Sequence, residues 1–120
     1  MRYMLLIYNN LALYESWSEE ERQALFGEVD AIMTELRQTG ELVDTAGLAD
    51  PSVTRTVRVR EGVVTTTDGP FAESKEQFAG YLTVDCDTPE RAEEIAARWP
   101  DARYFAMEVR PVMHSSGDEM

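Results

Sequence analysis

The chain has 120 residues, of which 43% are hydrophobic and 28% charged, with a formal net charge of -12; this suits one folded domain that needs neither disulfide nor metal, and excludes a disordered chain. The acidic balance argues against nucleic acid, whose phosphates require clustered Lys and Arg, and against anionic membrane surfaces for the same reason. The single cysteine, Cys86, excludes an internal disulfide and suits a reducing cytoplasm, while the longest apolar run, Tyr3 to Tyr8, is too short for a membrane span or a signal peptide.

Tyr3 to Tyr8 reads as a strand with apolar residues on both faces: Tyr3, Leu5 and Ile7 on one, Met4, Leu6 and Tyr8 on the other. Such a strand is expected to be covered on both sides. A loop is expected from Asn9 to Trp17. Ser18 then has the form of a helix N-cap, with Glu21 as its capping-box partner and Glu19 and Glu20 at the positive end of the helix dipole. Leu25, Phe26, Val29, Ile32, Met33 and Leu36 recur at helical spacing, and Gly40 is the expected stop.

Leu42 and Val43 suggest a short strand, broken between Gly47 and Pro51. Residues 53–67 read as a β-hairpin turning at Glu61-Gly62. After the Asp68-Gly69-Pro70-Phe71 break, "QFAGYLTVDC" reads as a strand with Phe78, Leu82 and Val84 on one face and Ala79, Tyr81 and Thr83 on the other. Gly80, in mid-strand, signals a bulge or a close backbone approach. Thr88 and Pro89 open a second helix, with Ala92, Ile95, Ala96 and Trp99 as its buried stripe and Pro100 as its stop. Arg103 to Val112 reads as the last strand, and the tail that follows should fray.

The order β-α-β-(β)-β-α-β predicts an α+β, ferredoxin-like fold with an extra hairpin, occupying residues 1–112 before a C-terminal tail, 113–120. Two helices cover one side of a sheet. The apolar second face therefore predicts a homodimer packed sheet to sheet, with a cleft at its edge as the natural ligand site.

The Asp-Gly-Pro-Phe corner is the strongest local signal. Asp68 can satisfy loop amides as in an Asx turn, and Pro70 makes the corner rigid by fixing its own φ. Phe71 then either plugs the core or stands at the rim of a site. In the functional reading Asp68, Glu73, Lys75 and Glu76 border a pocket floored by Tyr81, with Asp68 as polar anchor or, if buried, general base and sole candidate catalytic residue. In the bland reading Glu73 and Lys75 are a solvated surface pair. Arg58 and Arg60 share a face, suited either to holding a small anion or to pairing with surface carboxylates. Cys86, flanked by two aspartates, reads as a structural thiol. One Cys and one His cannot make a zinc site, there is no Gly-rich phosphate loop or nucleophile elbow, and no cofactor is expected. Trp17 and Trp99 read as packing residues.

"DGPFAESKEQFAGY" from Asp68 to Tyr81 resembles the signature of the YCII-related proteins, in the branch named for its DGPF motif. The start "MRYMLLIY", the hairpin "TVRVREGVVTTTDGPF" and the end "FAMEVRPV" are similar to that branch too, so the resemblance covers Met1 to about Val112. It implies a dimeric α/β barrel, ferredoxin-like in each protomer, and mostly unassigned activity. Some relatives are implied to act through a His-Asp pair, including a dehydrochlorinase of chlorinated aromatics. Here the one histidine, His114, falls in the tail, so the pair lacks its His and enzymatic activity stays open.

Two functions follow. One is small-molecule binding in a cleft formed by Asp68, Gly69, Pro70, Phe71, Glu76, Tyr81 and Arg58. The other is a noncatalytic accessory protein that binds a regulator such as an extracytoplasmic-function sigma factor, a partner the resemblance suggests.

Overall fold

The computed structural model describes residues 1–72 and 74–114. Its main sheet has four antiparallel strands in the order β2 (Leu42–Gly47), β5 (Gln77–Asp85), β1 (Arg2–Asn9), β6 (Ala106–Pro111). The central strand β1 is the one with two apolar faces. Tyr3, Leu5 and Ile7 are buried with Leu82 and Val84 of β5 against Ile32, Met33 and Leu36 of α2 (Glu19–Thr39) and Ala92, Ile95 and Ala96 of α3 (Pro89–Arg98). One core therefore lies between one face of the sheet and the two long helices. The arrangement is compatible with a ferredoxin-like α+β fold. The described sheet is open and closes no barrel within the protomer.

The helix signals act as their chemistry requires. The Ser18 hydroxyl accepts from the Glu21 amide at 3.0 Å, and the Glu21 carboxylate accepts from the Ser18 amide at 3.1 Å. Two of the orphan donors at the start of α2 are thus satisfied reciprocally. Gly40 ends the helix in the left-handed region, φ +78°. Thr88 caps α3 through the Arg91 amide at 3.1 Å, with Pro89 in the first turn.

Several expectations change at the ends of elements. The segment Asn9 to Trp17 is not all loop: Asn10 caps a five-residue helix, α1 (Leu11–Glu15). The second strand extends past Val43 to Gly47. Val53 belongs to a 3-10 turn, Pro51–Val53, before the hairpin strands β3 (Arg55–Arg60) and β4 (Val63–Asp68). Pro100 ends α3 but also opens a short helix, α4 (Pro100–Tyr104), because a proline at the first helical position loses no hydrogen bond. The last strand consequently begins at Ala106 rather than Arg103. The tail expected to fray lies, for residues 115–120, outside the described residues.

Gly80 serves both purposes its position suggests. The register of β1 with β5 shifts between Ile7 and Tyr8, so Ile7 pairs with Gly80 and Tyr8 with Phe78. This bulge reverses the expected phase: Ala79 packs against the core, while Phe78 joins Tyr81 on the opposite face. On its other side Gly80 meets β2 so closely that a Cβ would lie 2.6 Å from the Ala46 carbonyl oxygen.

Candidate functional site

The hairpin β3–β4 forms its own two-stranded sheet, turning through Glu61 (φ +50°) and Gly62 (φ +78°), the two successive positive φ values of a type I′ turn. Val53, Val57, Val59, Val63 and Val64, in and just before it, are all more than half exposed. The Asp-Gly-Pro-Phe corner is tied back onto it. Arg55 Nε pairs with Asp68 Oδ1 at 3.0 Å. The Gly69 amide donates to the Thr54 carbonyl at 2.7 Å, and the Thr56 hydroxyl donates to the Gly69 carbonyl at 2.7 Å. Gly69 sits at φ +93°, which a side chain would strain, and Pro70 fixes its own φ. The Arg58 guanidinium lies 4.7 Å from the centroid of the Phe71 ring.

Phe71 therefore does not plug the core: it is 73% exposed and borders a groove of about 530 Å³. Tyr8 and Phe78, a cross-strand pair with ring centroids 5.8 Å apart, line the same groove with Glu76 and Glu108. This is the side of the sheet that the core helices leave uncovered. The Glu108 carboxylate beside the Tyr8 hydroxyl holds that phenol above its ordinary pKa, with burial adding to the effect. The loop into β5 is fixed by Gln77, whose amide donates to the carbonyls of Ala72 at 3.2 Å and Ser74 at 2.8 Å.

The predicted site residues thus divide. Phe71 and Glu76 line the groove, and Arg58 braces Phe71. Gly69 and Pro70 shape the corner. Asp68 is not buried: its side chain is 88% exposed, so the condition for a general base is unmet within the protomer, and its partner is Arg55. Tyr81 shares the groove's sheet face but is not among its lining residues; its hydroxyl stands 3.5 Å from Asp44 Oδ2. Lys75 is exposed, and Glu73 lies outside the described residues. His114 is exposed beyond the last strand.

A second cavity, on the helix-covered side of the sheet, went unrecognised in the sequence. It holds about 260 Å³ and is lined by aromatic rings from four segments, including Tyr14, Trp17, Phe26 and Tyr104. Trp17 is the hub, with ring centroids 5.8 Å from Tyr14, 4.9 Å from Tyr104 and 6.3 Å from Phe105. Asp101 lines the same space, and its Oδ2 accepts from the Asn9 amide nitrogen at 3.3 Å. Burial pushes the Asp101 carboxyl above the usual carboxylate range, against the Asn9 hydrogen bond that lowers it. The lining residues are up to 98 residues apart in sequence, as are Ile7 and Phe105, so no local spacing announces the cavity.

At the far end of the sheet, Arg91 forms a two-pronged pair with Glu41, both contacts 2.8 Å, beside Cys86. The Arg91 guanidinium holds Glu41 at about 2, well below its ordinary value. Burial and Glu41 together push the Cys86 thiol up, as expected of a structural cysteine. Among the described residues no group of three or more His, Cys, Asp or Glu is placed to hold a metal ion. Nor is any helix among them long and apolar enough to cross a membrane.

Residues 1–116 match the YCII-related domain. The chain is also 32% identical over 114 residues to an uncharacterised protein of Rhizobium meliloti (strain 1021), covering 93% of this chain and 92% of that protein. On a match spanning nearly its whole length, this chain belongs to the YCII-related family.

Proposed function

We propose that this protein, in the DGPF branch of its family, works as a homodimer that binds a small molecule in the groove beneath the Asp-Gly-Pro-Phe corner. The observation that carries the reading is Phe71: an apolar ring held rigidly in the open, above Tyr8 and Phe78, on the sheet face that no core helix covers. Met4, Leu6 and Tyr81 continue that face along the strands. A second copy seated on the open face, with its hairpin alongside, covers the apolar strands and turns the groove into a cleft.

In this arrangement Phe71 and Glu76 contact the ligand, Arg58 and Asp68 hold the corner through Phe71 and Arg55, and Tyr81 belongs to the face that the second copy meets. Sedimentation at micromolar concentration should give a dimer. A thermal-shift screen of small metabolites should then find a stabilising ligand, because binding to the native state alone raises the melting temperature. Phe71→Ala should remain dimeric and lose most of that shift. A monomer, or a ligand that stabilises Phe71→Ala as well as the wild type, would refute the proposal.

A further inference from the structure

The aromatic cavity lies on the opposite side of the sheet from the groove: Ile7 and Ala79 contribute to the cavity, their neighbours Tyr8 and Phe78 to the groove. Whatever occupies it is therefore independent of the corner site. Its volume of about 260 Å³ falls just below the roughly 300–1,000 Å³ of sites that hold drug-sized ligands, so its occupant is compact. Its wall is almost entirely apolar and aromatic, apart from Asn9 and the carboxylate of Asp101.

That combination selects for charge. An anion meets Asp101 at close range in a poorly solvated space and is repelled. A neutral ligand displaces water from the carboxylate and leaves it, among the described residues, with the Asn9 hydrogen bond, which a desolvated charge tolerates badly. A cation supplies a countercharge and meets the surrounding aromatic rings. The two guanidiniums nearest the rings do not fill this role. Arg22 lies 5.8 Å from the Tyr14 centroid and Arg103 5.6 Å from that of Tyr104, but neither lines the cavity. Arg103 is already engaged by both carboxylate oxygens of Glu28, at 2.9 and 3.0 Å. Burial also pushes the Asp101 carboxyl up, against the Asn9 hydrogen bond that lowers it.

We infer that the cavity around Asp101 is a binding site for a small organic cation, an amine or quaternary ammonium ion, held by the carboxylate and the aromatic rings of Tyr14, Trp17 and Tyr104.

Trp17 and Trp99 both line the cavity, so tryptophan fluorescence of the full chain reports its occupancy. Choline is the probe, and 3,3-dimethylbutan-1-ol, which has the same shape with carbon in place of the charged nitrogen, is the control. Choline should give a saturable change and bind on the order of tenfold more tightly than the alcohol. Asp101→Asn should bring the two compounds to within about twofold of each other. Trp17→Leu, which keeps the carboxylate, should weaken choline several-fold and provides the test should Asp101→Asn fail to fold. The inference is overturned by no saturable response to choline, by equal affinity of the wild type for both compounds, by an unchanged preference in Asp101→Asn, or by undiminished choline affinity in Trp17→Leu.

Discussion

Gly80→Ala tests the tightest contact in the sheet. The new methyl group would lie 2.6 Å from the Ala46 carbonyl oxygen and 3.2 Å from the Gly47 Cα. Ordinary contact begins near 3.4 Å, so β2 must withdraw by about 0.8 Å or β5 must rotate. Both neighbours are backbone, and the strand pair is held at this point by the Leu48 amide donating to the Ala79 carbonyl at 2.8 Å. Overpacking of this kind costs about 1–3 kcal/mol. Replacing a strand glycine returns about 0.5–1 kcal/mol through reduced freedom of the unfolded chain. Taking the middle of each range, the net loss should be about 1 kcal/mol, or a melting temperature lower by roughly 3–6 °C in a chain of this size. Circular dichroism melts at one fixed protein concentration measure it, since association also shifts the midpoint. Gly27→Ala is the counterpart: a Cβ there meets nothing within 4 Å, and the residue lies inside α2. It should stabilise by up to about 1 kcal/mol. If Gly80→Ala melts at or above the wild type, the close approach of β2 to β5 is wrong.

The remaining predictions concern other parts of the molecule. Glu41 has a folded pKa of about 2 against an ordinary 4.5, so its pairing with Arg91 contributes stability that is complete above about pH 4.5 and is lost as pH falls toward 2. Glu41→Gln should destabilise by about 1–3 kcal/mol at neutral pH and flatten the acid limb of a urea-melt series between pH 5 and 2; an unchanged limb refutes the assignment. In the hairpin, Val57, Val59 and Val64 share one face, with Val59 opposite Val64. In the proposed dimer, Val57→Glu combined with Val64→Glu should weaken self-association at least tenfold in sedimentation while leaving the helical circular dichroism signal intact, because each valine buried in such an interface would contribute about 1.5–3 kcal/mol; an unchanged dimer would remove the hairpin from the proposed interface. Buried Cys86, with its thiol pushed up, should react with iodoacetamide at pH 8 far more slowly in the native protein than in urea; equal rates would contradict its burial.

Much of the fold was legible because its signals are local. The Ser18–Glu21 box, Gly40, the Thr88–Pro89 start and the Glu61-Gly62 turn each depend on a few adjacent residues meeting a backbone requirement, and each appears where its chemistry puts it. The short helices α1 and α4 were not legible, since five residues carry too little periodicity to stand out from a loop. The phase of β5 was not legible either. Gly80 advertised an irregularity, but only the register with β1 shows that the bulge sends Ala79 into the core and Phe78 to the open face.

For the candidate sites the division is sharper. The turn at the Asp-Gly-Pro-Phe corner follows from Gly69, which permits a positive φ, and Pro70, which fixes its own, whereas the ties that hold it to the hairpin come from Thr54, Arg55 and Thr56. Whether Phe71 fills the core or faces the groove, and whether Asp68 is buried or paired with Arg55 in the open, depended on where the hairpin stands relative to the sheet. The aromatic cavity belongs wholly to tertiary structure. Backbone conformation is chosen by neighbours along the chain, so a single sequence displays it. A cavity is space left between segments that meet only after folding, so Asn9 and Asp101, 92 residues apart, acquire a shared chemistry only when β1 and α4 are brought together.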